Sequence, residues 1–322
     1  MKAAVYDQPG GPEVFRYEDV PDPEPGPGHV LVRVEAISIE GGDTLNRAGG
    51  VVVSTPHVVG YQCAGTVLAA SEGVTRFREG DRVVTVGPYG SHAELRAVSE
   101  RSCWAIPPGV STEVAACVPI AFGTAGDALF EFGRLQPGET ALVHAGASGV
   151  GIAAIQLAKR GGARVFATAS DDERLERLAA LGLDHGINYR THDFVEEVRR
   201  LTDGAGADVV LESVGGRNLQ ASLRCLAYRG RCISIGDAGR ERGLAIDVSP
   251  LRGGNQQLAG YFLGAELLHG ERAYQAIAGH LADVAAGTLR VVIDRRYPLQ
   301  DAGAAHGYIE SRRAFGRVLL LP

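Results

Sequence analysis

Residues 140–159, TALVHAGASGVGIAAIQLAK, constrain the fold more than any other stretch of the chain. They read as a short apolar strand, a glycine turn through Gly146, Gly149 and Gly151, and a helix, in that order. A strand that feeds the amino end of a helix aims free N–H groups and the positive end of the helix dipole at one point, an arrangement that suits a pyrophosphate. Glycine at the turn lets backbone approach a ligand where a Cβ would intervene. The spacing is G-x-x-G-x-G rather than G-x-G-x-x-G, so the flanking sequence has to carry the reading.

Gly161 and Gly162 follow the helix, then an apolar run at 163–168, a helix-compatible segment at 173–181 and Gly182. Further apolar runs at 207–211, 231–235 and 258–263 alternate with helix-compatible segments, the pattern of a parallel sheet covered on both faces. The expectation is a doubly wound, dinucleotide-binding α/β domain; the alternative is that the glycines only make a tight turn.

A chain of 322 residues is long for one core, so two domains are expected. Residues 1–119 have a different texture, with short strands at 2–6, 14–20, 29–37, 63–70, 82–87 and 92–98, many prolines and glycines, and few helices. Residues 265–322 return to mixed structure, with a helix near 265–286, a strand near 291–297, a helix near 299–311 and a last strand at 316–321. Too short to fold alone, they are expected to complete the first domain, leaving 120–264 as the nucleotide-binding domain and the active site in the cleft between the two.

A net charge of −6 argues against nucleic acid or an anionic membrane surface as the main partner. No stretch reaches the roughly 18 uncharged apolar residues of a membrane span, and the first residues lack the apolar core of a signal peptide. A cytoplasmic protein acting on a small molecule is expected. The five cysteines form no C-x-x-C pair and read as buried reduced thiols. Catalytic zinc needs three converging Cys, His or carboxylate ligands and structural zinc four close cysteines; neither set is present, so no metal is expected.

The segments 145–151 (AGASGVG), 207–216 (ADVVLESVGG), 230–236 (GRCISIG) and 309–321 (IESRRAFGRVLLL) together resemble the medium-chain dehydrogenase/reductase superfamily, and within it the zinc-independent quinone oxidoreductase and enoyl reductase branch. The resemblance runs nearly end to end. It implies a GroES-like β-rich catalytic domain joined to a Rossmann-like domain, in a homodimer formed through the sheet edge at 258–264. Where zinc-dependent relatives carry a Gly-His-Glu triplet, this chain has Gly60, Tyr61 and Gln62.

The resemblance also implies a nicotinamide cofactor. An NAD site usually shows an acid at the end of the second strand, about twenty residues past the first glycine. That strand here ends Thr168-Ala169-Ser170, and Asp171, Asp172 and Glu173 follow. Ser170 and Glu173 have the spacing of a helix capping box, which gives the acids a structural reason to be there. The small corner then leaves room for a 2′-phosphate, with Arg174, Tyr189 and Arg190 where relatives grip it, so NADPH is expected. Gly146, Ala147, Ser148, Gly149, Val150 and Gly151 would cradle the pyrophosphate, and Thr124, Ser213, Val214, Gly236 and Arg312 match positions that line the cofactor in such relatives.

With no ligand set for a Lewis-acid metal, the expected chemistry is hydride delivery to a quinone or to the β-carbon of an enone or enoyl thioester, with donors to meet charge on the oxygen and a proton for the α-carbon. Glu40, Asp43, Tyr61 and Tyr89 are the candidates. Glu40 stands where quinone oxidoreductases typically have an asparagine, and a buried carboxyl there would serve as a general acid. Asp43 alternatively satisfies local backbone or pairs with Arg47, and Tyr61 alternatively only packs in the slot a metal ligand left. Leu45 stands where several relatives carry a tyrosine, so that proton donor does not transfer. The competing functional readings are a non-catalytic dinucleotide-binding sensor and an enoyl reductase dedicated to one pathway of specialised metabolism.

Overall fold

The computed structural model describes residues 1–241 and 243–322, which divide into two units, Met1–Ile120 with Leu267–Pro322, and Ala121–Glu266. The first unit opens with β1 (Lys2–Tyr6), β2 (Arg16–Asp19) and the ten-residue β3 (His29–Ser38). A helix, α1 (Gly41–Gly49), then precedes β4 (His57–Val58), β5 (Gln62–Ala70), β6 (Arg82–Val86), β7 (Leu95–Ser99) and β8 (Cys103–Ala105). Helices α2 (Thr112–Ala116) and α3 (Pro119–Gly126) close this stretch.

The second unit alternates strand and helix: β9 (Thr140–Val143), α4 (Gly149–Arg160), β10 (Arg164–Ala169), α5 (Asp172–Ala179), β11 (His185–Asn188), α6 (Phe194–Leu201), β12 (Ala207–Glu212), α7 (Gly216–Arg224), β13 (Leu226–Ser234) and β14 (Gln257–Gly260). After α8 (Leu263–His269) the chain rejoins the first unit through α9 (Arg272–Ala285), β15 (Ile293–Pro298), α10 (Ala302–Glu310) and β16 (Arg317–Leu321).

In the first unit β3 is central because it is long enough for three partners. It buries Val30, Val32 and Val34 on one face, the period-2 pattern of a half-covered strand. Val30 and Val32 pack with Val67, Val83 and Val98 from β5, β6 and β7. β7 pairs with β3 from His29 to Arg33, and β16 takes over at Ile37 and Ser38. This carboxyl end of β3, where the last strand of the chain arrives, leads directly into Glu40 and α1.

The second unit holds a six-stranded parallel sheet in the order β11-β10-β9-β12-β13-β14. All four residues of β9 are buried, as expected of a strand covered on both faces. Winding proceeds outward from β9 through β10 and β11, then restarts on its other side at β12. The sheet therefore reverses between β9 and β12, and the glycine turn lies at the carboxyl end of β9, beside that switch point.

Two local expectations are corrected. The single helix expected near 265–286 is broken at Gly270 into α8 and α9, since glycine is a poor helix interior residue. The helix α1 was not expected among the early strands: it opens on two glycines, and the face it buries, Asp43, Thr44 and Arg47, is polar rather than apolar.

Candidate functional site

The hydroxyl of Ser148 caps α4 by accepting the N–H of Gly151 at 3.0 Å. The N–H groups of Gly149 and Val150 make no hydrogen bond among the described residues, and both residues are half-buried. Two of the three glycines have an internal reason. A Cβ on Gly151 would lie 2.4 Å from the carbonyl oxygen of Ala145 and 2.7 Å from that of Gly146, and one on Gly146 would lie 2.9 Å from the Cβ of Ala167. Ala145 itself is left-handed, with φ of 50°. Gly146 and Gly151 thus let strand, turn and helix pack closely.

At the end of β10 the capping box expected between Ser170 and Glu173 is not the one formed. Asp171 is the cap, accepting the N–H of Arg174 at 3.0 Å, and its carboxylate also takes the Ser170 hydroxyl at 2.8 Å and the Arg174 Nε at 3.0 Å. Aspartate caps as well as serine and adds a full negative charge at the positive end of the helix dipole. Burial works to raise the Asp171 carboxyl, but those hydrogen bonds and the charges of Arg174 and Arg190 hold it below the usual range. Tyr189 and Arg190, past β11, are exposed.

Two residues that sequence reasoning missed organise the same edge. Glu212, the last residue of β12, is buried and accepts the N–H groups of Val214 at 3.0 Å and Gly215 at 2.9 Å and the Asn218 amide at 2.9 Å. It shapes the loop that carries Ser213 and Val214. His144, the residue after β9, is buried between Thr168 Oγ1 at 3.1 Å and Ser222 Oγ at 2.9 Å, and burial pulls it down to about 3, so it is neutral. A polar residue inside an apolar strand end was the available signal in each case. The turn residues Gly146 to Gly151, with Ser170, Arg174, Tyr189, Ser213, Val214 and Gly236, all lie past the carboxyl ends of β9 to β13. Thr124 is buried in α3. Arg312 lies just past α10 in the first unit, with a left-handed φ of 58° that ends the helix.

In the first unit Glu40, Asp43, Tyr61 and Gln62 form one hydrogen-bonded group. Asp43 is fully buried, and its two oxygens accept the N–H of Glu40 at 2.8 Å and of Tyr61 at 3.0 Å. Desolvation, with the nearby Glu40 charge, pushes its carboxyl up to about 7 against those two donors. Asp43 does satisfy backbone, but Arg47 pairs instead with Glu310 and the Gly10 carbonyl. Glu40 has no open oxygen: one accepts from Gln62 and Arg317, the other from Arg317 at 3.0 Å. Burial raises its carboxyl while the Arg317 guanidinium pulls it back. Tyr61 is half-buried; its ring lies over Gly42, where a Cβ would be 2.3 Å away, and its hydroxyl accepts the Asn46 amide at 3.0 Å. Tyr89 is 48% exposed; its carbonyl accepts Arg96 Nη2 at 2.8 Å, and Arg96 Nη1 donates to the Tyr61 carbonyl at 3.1 Å. Among the described residues no cluster of three His, Cys, Asp or Glu side chains is arranged to hold a metal ion, and no helix is long and apolar enough to cross a membrane.

Residues 26–108 match the family model for the alcohol dehydrogenase GroES-like domain, and residues 149–280 match that for zinc-binding dehydrogenase. The chain is 36% identical to a quinone oxidoreductase of Pseudomonas aeruginosa, with 97% of each chain covered. It is 34% identical to a 2-haloacrylate reductase of Burkholderia, with 100% of this chain and 99% of the other covered. The solved quinone oxidoreductase of Escherichia coli, in complex with NADPH, superposes with a TM-score of 0.94 at 29% identity over the whole of both chains. With its GroES-like and parallel-sheet architecture, the chain belongs to the medium-chain dehydrogenase/reductase family, in the quinone oxidoreductase branch, and is an oxidoreductase.

Proposed function

We propose that the protein is an NADPH-dependent, zinc-free reductase of quinones or of α,β-unsaturated carbonyl compounds. The observation that carries this reading is the turn after β9, where two unpartnered backbone donors and a helix dipole converge at the switch point of the sheet. The relatives named quinone oxidoreductase and 2-haloacrylate reductase support the substrate class, and the NADPH complex of one solved relative supports the cofactor.

The residues fit the group. Gly146 to Gly151 would hold the pyrophosphate on the free N–H groups of Gly149 and Val150. Ser170, Arg174 and Tyr189 would hold the 2′-phosphate, and Thr124, Ser213, Val214, Gly236 and Arg312 are assigned to the rest of the cofactor. Bound NADPH would supply a hydride for an electron-poor carbon. The protein's own part is to meet the charge that develops on the substrate oxygen and to deliver a proton.

Of Glu40, Asp43 and Tyr61, which share one hydrogen-bonded group, Tyr61 is the one that keeps a donor to give. Asn46 donates to the phenol oxygen, which leaves the hydroxyl hydrogen free to be given away. Glu40 and Asp43 are buried with every carboxylate oxygen engaged, so we assign them to holding the donor rather than to proton transfer. Zinc would have to displace Arg317 from Glu40, which supports a metal-free site.

The finer expectations belong to the same proposal. A second copy would pair along β14, the outer strand of the sheet, next to Phe262, which is 66% exposed. The five free buried cysteines suit the reducing cytoplasm. Replacement of Tyr61 by Phe tests the central assignment: kcat should fall by about 10²–10⁴-fold while NADPH titrates the protein with wild-type affinity. Full turnover by the Phe variant overturns the role of Tyr61.

A further inference from the structure

Arg317, the first residue of the last strand, lies 277 positions from Glu40 and is buried against it. Its fork is fully used. Nε donates to Ser38 Oγ at 2.9 Å, and Nη2 to the same oxygen at 2.7 Å and to the Ile39 carbonyl at 2.8 Å. Nη1 reaches Glu40 Oε2 at 3.0 Å, and Nη2 also meets Glu40 Oε1. A single guanidinium therefore fixes three consecutive residues at the end of β3, which a lysine's point charge could not do.

From those residues the contacts run onward to the proposed donor. Glu40 opens α1, and its N–H is held by Asp43. Asp43 in turn holds the backbone N–H of Tyr61, and Asn46 on the same helix holds the Tyr61 hydroxyl. Gln62 bridges Glu40 to the N–H of Ile120 at 3.1 Å, at the start of α3. The remaining titratable groups near Glu40 are Asp43, Tyr61 and Cys117.

We infer that Arg317 is a positioning residue of this reductase, acting through Glu40 and α1 to set where the Tyr61 hydroxyl stands. The inference rests on the functional reading above. A buried ion pair is weak evidence for stability, because well-packed neutral residues of similar volume do as well or better. Its value at this place is geometric: it carries the register of β16 into the turn from which the donor is held.

The test compares Arg317→Met, Arg317→Lys and the double variant Glu40→Gln with Arg317→Met, each scored per folded molecule, for kcat with a quinone or enone substrate, KM for NADPH, pH–rate profile and hydrogen exchange at the Tyr61 amide. Arg317→Met is expected to lower kcat by about tenfold or more with KM for NADPH near wild type, to quicken exchange at Tyr61, and to change the pH–rate profile as the Glu40 carboxyl, losing its cation, moves further upward. Arg317→Lys should recover part of kcat. In the double variant thermal stability and the wild-type pH profile should return, because neither partner of the Glu40–Arg317 pair is left buried without the other, while kcat stays low because nothing grips Ser38 and Ile39. If Arg317→Met does not fold, the double variant decides. Wild-type kcat and wild-type exchange at Tyr61 in the double variant overturn the inference. Failure of the wild-type protein to turn over any quinone or enone overturns the functional reading instead.

Discussion

Asp171 and Arg174 face each other across the first turn of α5, carboxylate to guanidinium at 3.0 Å, with Asp171 also capping the helix. The capping anion is thus held by the cation assigned to the 2′-phosphate. Arg174→Ala should weaken NADPH by about 10–100-fold, the worth of one charged hydrogen bond, and NADH much less. Asp171→Asn keeps the cap and removes the charge, so it should raise the preference for NADPH severalfold. Fluorescence titration of both cofactors checks this; equal changes for the two would return Asp171 to a ribose-binding role.

Gly149 and Gly151 should respond differently to a side chain. Gly149→Val crowds the free N–H groups and should abolish cofactor binding with the melting temperature of the cofactor-free protein near wild type. Gly151→Ala forces a Cβ against the Ala145 carbonyl and should lower stability by about 1–3 kcal/mol. Thermal unfolding without cofactor, beside a binding titration, separates the two.

Glu212→Ala should strand the half-buried N–H groups of Val214 and Gly215, at about 1–3 kcal/mol in all, and loosen the loop that carries Ser213. Glu212→Gln keeps one acceptor and should fall between. Denaturant unfolding gives the stability, and NADPH affinity should drop in the same order.

The buried histidines set the acid limit of stability. His92 and His144 are drawn down to about 3, each chiefly by desolvation, and His306 lies well below its usual value for the same reason. Above about pH 6.5 they are neutral folded or unfolded. As pH falls from there toward 3, only the unfolded chain takes up the protons, so stability falls. Asp43, raised to about 7, acts oppositely: its contribution is full below about pH 4 and lost as pH rises through 7. His144→Gln isolates one histidine. The stability gap between wild type and variant should shrink by about 2 kcal/mol from pH 8 to pH 5, and a constant gap would contradict a neutral His144.

The parallel sheet was legible because its strands are short apolar runs punctuated by glycine, so local period and turn chemistry agree. The glycine turn was legible for the same reason, although its glycines proved to serve packing as much as any ligand. The first unit's site was legible only in part. Glu40, Asp43 and Tyr61 could be named from the resemblance, but the partner of Glu40, Arg317, is brought to it by the pairing of β16 with β3. No local pattern encodes such a partner. The cap of α5 was misread by one residue because Ser170 and Asp171 are both good caps, and the choice lies in the backbone at the end of β10.

The most direct measurement of the whole account follows NADPH loss and reduced product together across a panel of quinones, enones and 2-substituted acrylates, in the presence of a metal chelator. The account predicts turnover of at least one of these substrate classes, one NADPH consumed per two-electron reduction, strong preference over NADH, and no effect of the chelator. No turnover of any of them, or activity that chelation removes and zinc restores, would contradict it.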